Sequence, residues 1–332
     1  MAESKINLNQ RRLRQSRWIR ELVQEHRITV DQFIQPLFVV ENLPAREPVP
    51  GLTGTYRETQ LSLLKTIESD LEAGVRKFLL FGVPEEKRNS DFENEFISDQ
   101  IQSIRKRFGK DLFLAVDLCL CSSTPHGHCG ILSPSGDQVE NRSTVYELQK
   151  LGVKFAQAGA DCIAPSDMMD GRVGAIRMGL EQADLDQTLI MSYSAKFHSK
   201  FYGPFRVAAD SAPKGKLQLK DRATYQIDPA APRDALLSSL RNEKEGADIL
   251  MVKPGLPYLY ILADLSSRIQ KPWAVYEVSG EYAAVEVLAE RGLIDAPAAH
   301  LEAWTAFVRA GASIIISYGS RYVQEYLKRN SS

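Results

Sequence analysis

Short apolar, β-branched runs recur along the 332-residue chain, separated by longer segments whose apolar residues fall on one helical face. The runs at 35–40, 77–82, 112–118, 161–165, 189–193, 248–253, 273–278 and 313–318 are continuous rather than alternating. Such runs predict strands buried on both faces, as in a parallel sheet covered by helices. Between them, the patterns at 61–73, 91–108, 144–158, 170–183, 233–245, 258–269 and 283–291 predict helices. Eight such units favour a (β/α)8 TIM barrel over an open doubly wound sheet. Gly74, Gly159, Gly246 and Gly311 each precede a small apolar residue and then a strand run. A glycine there ends a helix in the left-handed conformation and returns the chain to the sheet. Turns of this kind occur in any α/β protein, so they speak for the class more than for the barrel.

Residues 1–30 form a polar arm rich in arginine (Arg11, Arg12, Arg14, Arg17, Arg20), and 31–332 make up the barrel. Glu21 and Glu25 follow the arginines and no aromatic platform accompanies them, so packing against a neighbouring subunit is expected rather than nucleic-acid binding. The formal charge is −1, from 41 basic and 42 acidic residues, which favours neither nucleic acid nor an anionic membrane. No apolar run approaches the ~18 residues of a membrane span. Only four cysteines, three of them clustered at metal-like spacing, suit a reducing compartment better than a disulfide framework, and a cytoplasmic location is expected.

Three of those cysteines, Cys119, Cys121 and Cys129, share one short Gly-containing stretch. Thiolates suit zinc; a closed structural site takes four protein ligands, a catalytic one three with a position left open. His126 or His128 offers a fourth ligand, and a chance cluster of small buried residues is the bland alternative. In a barrel the chemistry gathers at the carboxyl ends of the strands. Those ends carry Asp117, Ser166 with Asp167, Lys196, Lys253, Ser279 and Tyr318. A lysine closing an apolar run loses solvation, and a second cation nearby disfavours its charge further. Both effects free the amine to attack a carbonyl. One such lysine is more simply read as an ion pair with Asp117 or Asp167; two on adjacent strands point to Schiff-base chemistry. The long polar stretch 208–221, with Lys214, Lys216 and Lys220, reads as part of a lid spanning about 206–226. Arg206 and Arg222 flank it, and their two-pronged guanidinium groups suit a substrate carboxylate.

These segments resemble the porphobilinogen synthase (5-aminolaevulinate dehydratase) family. The resemblance rests on Asp117-Leu-Cys-Leu-Cys with His126-Gly-His-Cys129-Gly, Ala164-Pro-Ser-Asp-Met-Met-Asp-Gly171 and Met191-Ser-Tyr-Ser-Ala-Lys-Phe197. Phe201-Tyr-Gly-Pro-Phe-Arg206, Met251-Val-Lys-Pro-Gly255 and Val278-Ser-Gly-Glu-Tyr282 extend it over nearly the whole length. It implies a (β/α)8 barrel with an N-terminal arm, assembled as a homo-octamer. It implies condensation of two 5-aminolaevulinate molecules to porphobilinogen, with loss of two waters, in tetrapyrrole biosynthesis. By the resemblance Lys253 forms a Schiff base with the first substrate and Lys196 with the second. Cys119, Cys121 and Cys129 hold a catalytic zinc, Arg206, Arg222 and Gln226 grip the second carboxylate, and Ser279 and Tyr318 grip the first. Asp117 and Ser166 are the candidates for proton transfer, and Tyr202 is expected near the lysines.

Two family features are not expected. The second metal site of animal members needs a cysteine after the lid arginine, where Arg222-Ala-Thr-Tyr225 stands. An allosteric magnesium needs a glutamate ahead of the sixth strand, where Ser238 stands. Two other classes compete: a Schiff-base aldolase with one essential lysine and a structural zinc, and a non-catalytic metal-binding module with ion-paired lysines.

Overall fold

The computed structural model describes residues 10–92, 95–214 and 219–331. Residues 1–9 of the arm and 215–218 of the lid, Lys216 among them, lie outside the described residues. All eight predicted strands are present: β1 (Phe33–Val40), β2 (Lys77–Val83), β3 (Phe113–Leu118), β4 (Cys162–Pro165), β5 (Leu189–Lys196), β6 (Ile249–Lys253), β7 (Trp273–Tyr276) and β8 (Ile314–Ile316). Each pairs in parallel with the next, and β1 also pairs with β8, so the sheet closes into a barrel. The predicted helices appear within a few residues of their expected bounds, the one expected at 91–108 being seen as Glu95–Phe108.

Every barrel strand is buried on both faces, and each face feeds a different core. Ile34, Phe38, Leu79, Phe81, Ala115, Cys162, Met191, Tyr193, Met251, Tyr276 and Ile316 fill the barrel interior. Their neighbours in sequence, such as Leu37, Leu80, Val116, Ile163, Ile190, Leu250 and Val275, pack outward under the helices. The two-residue period of a strand produces this split, and it aims whatever ends the inward series into the barrel mouth. The four glycines before strands have φ between +92° and +114°, in the left-handed region expected of them.

Several elements were not expected. A short hairpin, Glu47–Pro48 with Tyr56–Glu58, extends the sheet beside β1. A six-residue helix, Gly203–Ala208, lies between β5 and the lid. Ala296–Arg309 adds a second helix between β7 and β8, and Val323–Ser331 closes the described chain. In the arm, Gln10–Arg14 and Arg17–Leu22 are helical, and Trp18 and Leu22 are 72% and 80% exposed. No helix among the described residues is long and apolar enough to cross a membrane.

Candidate active site

Lys196 and Lys253 are register partners at the ends of β5 and β6. Their side chains share the face of Tyr193, whose ring centre lies 5.5 Å from Lys196 Nζ and 5.0 Å from Lys253 Nζ. Lys253 Nζ also sits 3.7 Å from the Tyr276 ring, 4.9 Å from Phe205 and 5.6 Å from Tyr202. Burial holds this amine well below the ordinary lysine range, Lys196 pushes it the same way, and the Asp117 carboxylate only partly restores it. Lys253 therefore gives up its proton more readily than an ordinary lysine. Lys196 is buried too and donates to the Ser166 carbonyl.

Asp117 follows the inward-facing Ala115 by two positions and so points at both lysines. Loss of solvation pushes its carboxyl up to about 6, against the pull of Lys196, a hydrogen bond with Ser166, and Lys253. Its Oδ1 is buried with no hydrogen-bond partner among the described residues. The ion pair that would have made the lysines structural is thus incomplete. Asp167 turns away instead, accepting from the Met169 amide at 2.7 Å and lying 3.4 Å from Arg172.

The Sγ atoms of Cys119, Cys121 and Cys129 lie within 4.8 Å of one another, a spacing compatible with one metal ion. Hydrogen bonds from Cys119 and Cys121 hold Cys129 well below the ordinary thiol range, so one thiolate is already stabilised by its neighbours. Neither histidine joins them. His128 spends both ring nitrogens on Tyr225 Oη (3.1 Å) and the Leu219 carbonyl (2.9 Å), and His126 Nδ1 accepts from the His128 amide (3.1 Å). The cluster is therefore a three-ligand set, able to hold a metal with a position left open.

The segments on either side of 215–218, expected to form a lid, are stitched to this loop. Arg222 donates to the carbonyls of Gly127 (3.0 Å) and Ser211 (2.7 Å), and Lys214 N donates to His126 O (2.8 Å). Burial alone would lower the Arg222 pKa, but the Cys129 thiolate outweighs it and holds the guanidinium firmly charged. Arg206 is shifted the other way, by its own burial and by Arg222 beside it. Its Nε, the Arg222 Nε and both amide atoms of Gln226 are buried with no hydrogen-bond partner among the described residues. Two adjacent cations and an orphaned amide make a receptor for an anion, because unpaired buried polar groups are costly unless a ligand meets them.

On the Lys253 side, Tyr318 Oη meets Tyr276 Oη at 3.3 Å, and Ser279 Oγ accepts from the Phe205 amide at 3.0 Å and donates to the Phe201 carbonyl at 3.3 Å. Ser279 thus ties the helix ahead of the lid to the end of β7. Tyr202 Oη donates to Phe197 O at 2.8 Å, so its contribution to Lys253 is its ring face. Sequence reasoning overlooked Tyr193 and Tyr276, whose inward positions two residues beyond Met191 and Ala274 were the available signal. It also overlooked Glu281, which binds the amides of Val278 (2.7 Å) and Gly255 (3.1 Å) and links the exits of β6 and β7.

Residues 7–326 match the family described as delta-aminolevulinic acid dehydratase. The chain belongs to this family. A delta-aminolevulinic acid dehydratase of Helicobacter pylori (strain J99) is 42% identical over 325 residues, covering 96% of this chain and 98% of its own. That of Staphylococcus epidermidis is 39% identical over 322 residues, with the same coverage. The crystal structure of the dehydratase (porphobilinogen synthase) from Toxoplasma gondii ME49, in complex with the reaction product porphobilinogen, superposes with a TM-score of 0.91. It shares 36% identity and covers 97% of this chain and 92% of its own. Delta-aminolevulinic acid dehydratases are thus similar to this chain in both sequence and fold.

Proposed function

We propose that this chain condenses two molecules of 5-aminolaevulinate into porphobilinogen with loss of two waters, using both lysines as nucleophiles. The observation that carries the reading is the pairing of Lys196 with Lys253 in one aromatic-walled mouth. A neutral Lys253 amine adds to a ketone carbon, and the carbinolamine loses water to give an iminium. That iminium acidifies the adjacent carbon and makes its own carbon a better electrophile. Lys196 treats the second substrate in the same way. Asp117 and the Ser166 hydroxyl stand where protons must be taken up and released. Arg206, Arg222 and Gln226 hold the carboxylate of the substrate on Lys196, and Ser279 and Tyr318 that of the substrate on Lys253. An aldolase with a single essential lysine leaves the second lysine and the lid receptor without a role.

The cysteine trio fits zinc by donor type, number and spacing. Bound there, zinc supplies a Lewis acid that polarises a carbonyl or lowers the pKa of a water. The arm is part of the same proposal: it packs on the barrel of a neighbouring copy, as an octamer, in the cytoplasm. Its exposed Trp18 and Leu22 are suited to such burial.

The test is pyrrole formation from 5-aminolaevulinate, before and after chelation, with borohydride trapping and mass mapping of the adducts. Adducts on both Lys196 and Lys253 are expected, with activity lost on chelation and restored by zinc. No pyrrole under either condition overturns the function, and near-normal turnover of Lys196→Ala or Lys253→Ala overturns the two-lysine assignment.

A further inference from the structure

The residues proposed to grip the substrate on Lys253 lie just beyond the hydrogen-bond ladder between their strands. Pairing of β7 with β8 ends at Tyr276 with Ile316, and one further bond runs from Glu277 N to Ile316 O (2.9 Å). Ser279 and Tyr318 come after that point. On the inner face the connection continues through the Tyr276–Tyr318 contact, which faces the substrate space. On the outer face it continues through Glu277.

Strand alternation sends Glu277 and Ser317 outward while Tyr276 and Tyr318 point in. Glu277 is fully buried there, and Oε2 accepts from Ser317 Oγ (2.5 Å) and Trp304 Nε1 (2.9 Å). Ser317 Oγ in turn accepts from the Gly319 amide (3.0 Å) and so shapes the turn that follows Tyr318. Glu277 Oε1 lies 3.4 Å from His300 Nδ1, and His300 Nε2 meets Glu286 at 2.9 Å. His300 is stacked between Tyr282 (4.9 Å) and Trp304 (5.5 Å). Burial works against the Glu277 charge, but His300, Ser317 and Trp304 outweigh it and hold the carboxylate below its ordinary range.

A buried carboxylate spanning two strand ends is an expensive way to stabilise a barrel, since an apolar contact of the same volume serves as well or better. What it adds is direction, because each acceptor fixes one donor in one place. We propose that Glu277 is a positioning residue, whose hydrogen bonds to Ser317 and Trp304 and ion pair with His300 hold the exits of β7 and β8 so that Ser279, Tyr276 and Tyr318 keep their places around Lys253. This rests on the assignment of Lys253 as a Schiff-base lysine. Glu281 does the corresponding work between β6 and β7, so the Lys253 half is clamped from both sides.

The experiment compares Glu277→Gln with the parent in the full-length enzyme. It measures kcat, KM and the ratio of borohydride-trapped 5-aminolaevulinate on Lys253 to that on Lys196. Asp161→Asn is the control, because it breaks the ion pairs with Arg105 and Lys110 at the opposite end of the barrel. Small displacements of positioned groups cost up to about a hundredfold in rate. Glu277→Gln is expected to lower kcat at least about tenfold and the Lys253:Lys196 ratio severalfold, whereas Asp161→Asn lowers stability and leaves the ratio at the parent value. Ser317→Ala, which removes one bond and leaves the ion chain intact, moves the ratio in the same direction by a smaller factor and serves if Glu277→Gln fails to fold. An unchanged ratio in both variants, or an equal change in Asp161→Asn, overturns the positioning role. An absence of any Lys253 adduct in the parent overturns the Schiff-base assignment and this inference with it, and is distinguished by appearing before any substitution is made.

Discussion

At the scale of single residues, the site is built from groups that the folded chain leaves deliberately unpaired. Tyr193 is fully buried, its hydroxyl has no hydrogen-bond partner among the described residues, and its ring lies under both lysine amines. Burial pushes the phenol well above its ordinary range, so it keeps its proton. Desolvating a hydroxyl without a partner costs about 1–3 kcal/mol, so it persists for something other than stability. Tyr193→Phe is therefore expected to unfold at the same or higher denaturant concentration, gaining up to about 1 kcal/mol, while turnover falls about a hundredfold. A variant that is both less stable and fully active would show the hydroxyl to be structural. Lys253 and Tyr193 were not equally visible in the sequence. A lysine closing an apolar run violates the pattern, whereas a tyrosine within one does not.

At the scale of elements, the outer, helix-covered side of the barrel wall carries a buried charge chain that the apolar pattern concealed. Ala296–Arg309 begins with Asp295 accepting from the Ala298 amide at 3.0 Å and with proline in its first turn. These are ordinary start signals, yet the helix was not expected, because the alanine-rich run after Leu293 was not taken for an amphipathic face. This helix delivers His300 and Trp304 to Glu277. The groups facing His300 are Glu277 from β7's exit, Glu286 and Tyr282 from Ser279–Glu290, and Tyr326 from the last helix. Burial opposes the imidazolium, but Glu277 and Glu286 raise its pKa from 6.5 to about 9. The folded state thus holds the proton more tightly than the unfolded chain. The resulting stabilisation, roughly 3 kcal/mol at most, is complete below pH 6.5 and is lost as pH rises through about 9. Urea midpoints measured between pH 6 and 9.5 should fall across this window in the parent and fall less in His300→Gln. Equal slopes in the two proteins would show that His300 does not carry the linkage.

At the scale of the whole molecule, the cysteine loop and the segment around Ala212 pack directly on one another. Gly127 has φ +69°, and a Cβ there would meet the Ala212 carbonyl oxygen at 2.4 Å, so the two segments touch backbone to backbone. Gly127→Ala is expected to push them apart, weakening zinc about tenfold, as loss of a supporting contact around a metal does, and speeding proteolysis in the lid. Competition with a chromophoric chelator reads the first effect; unchanged zinc affinity would show that the lid does not support the metal site. The barrel class, the eight strand positions, the helix-ending glycines and the grouping of three cysteines were determined by the sequence itself, because burial on both faces and backbone conformation leave marks within a few residues. The fate of Lys196 was not. Met191 and Tyr193 point inward, so the strand period sends residue 196 outward under the helices. An irregularity in the β5–β6 register between Ser192 and Ala195 reverses that parity, placing Ala195 in the outer core and Lys196 in the mouth opposite Lys253. No local pattern announces such a bulge, because it is set by how β5 must fit β6 as the barrel closes. The closure of the barrel, and not the order of residues along β5, puts the second amine beside the first.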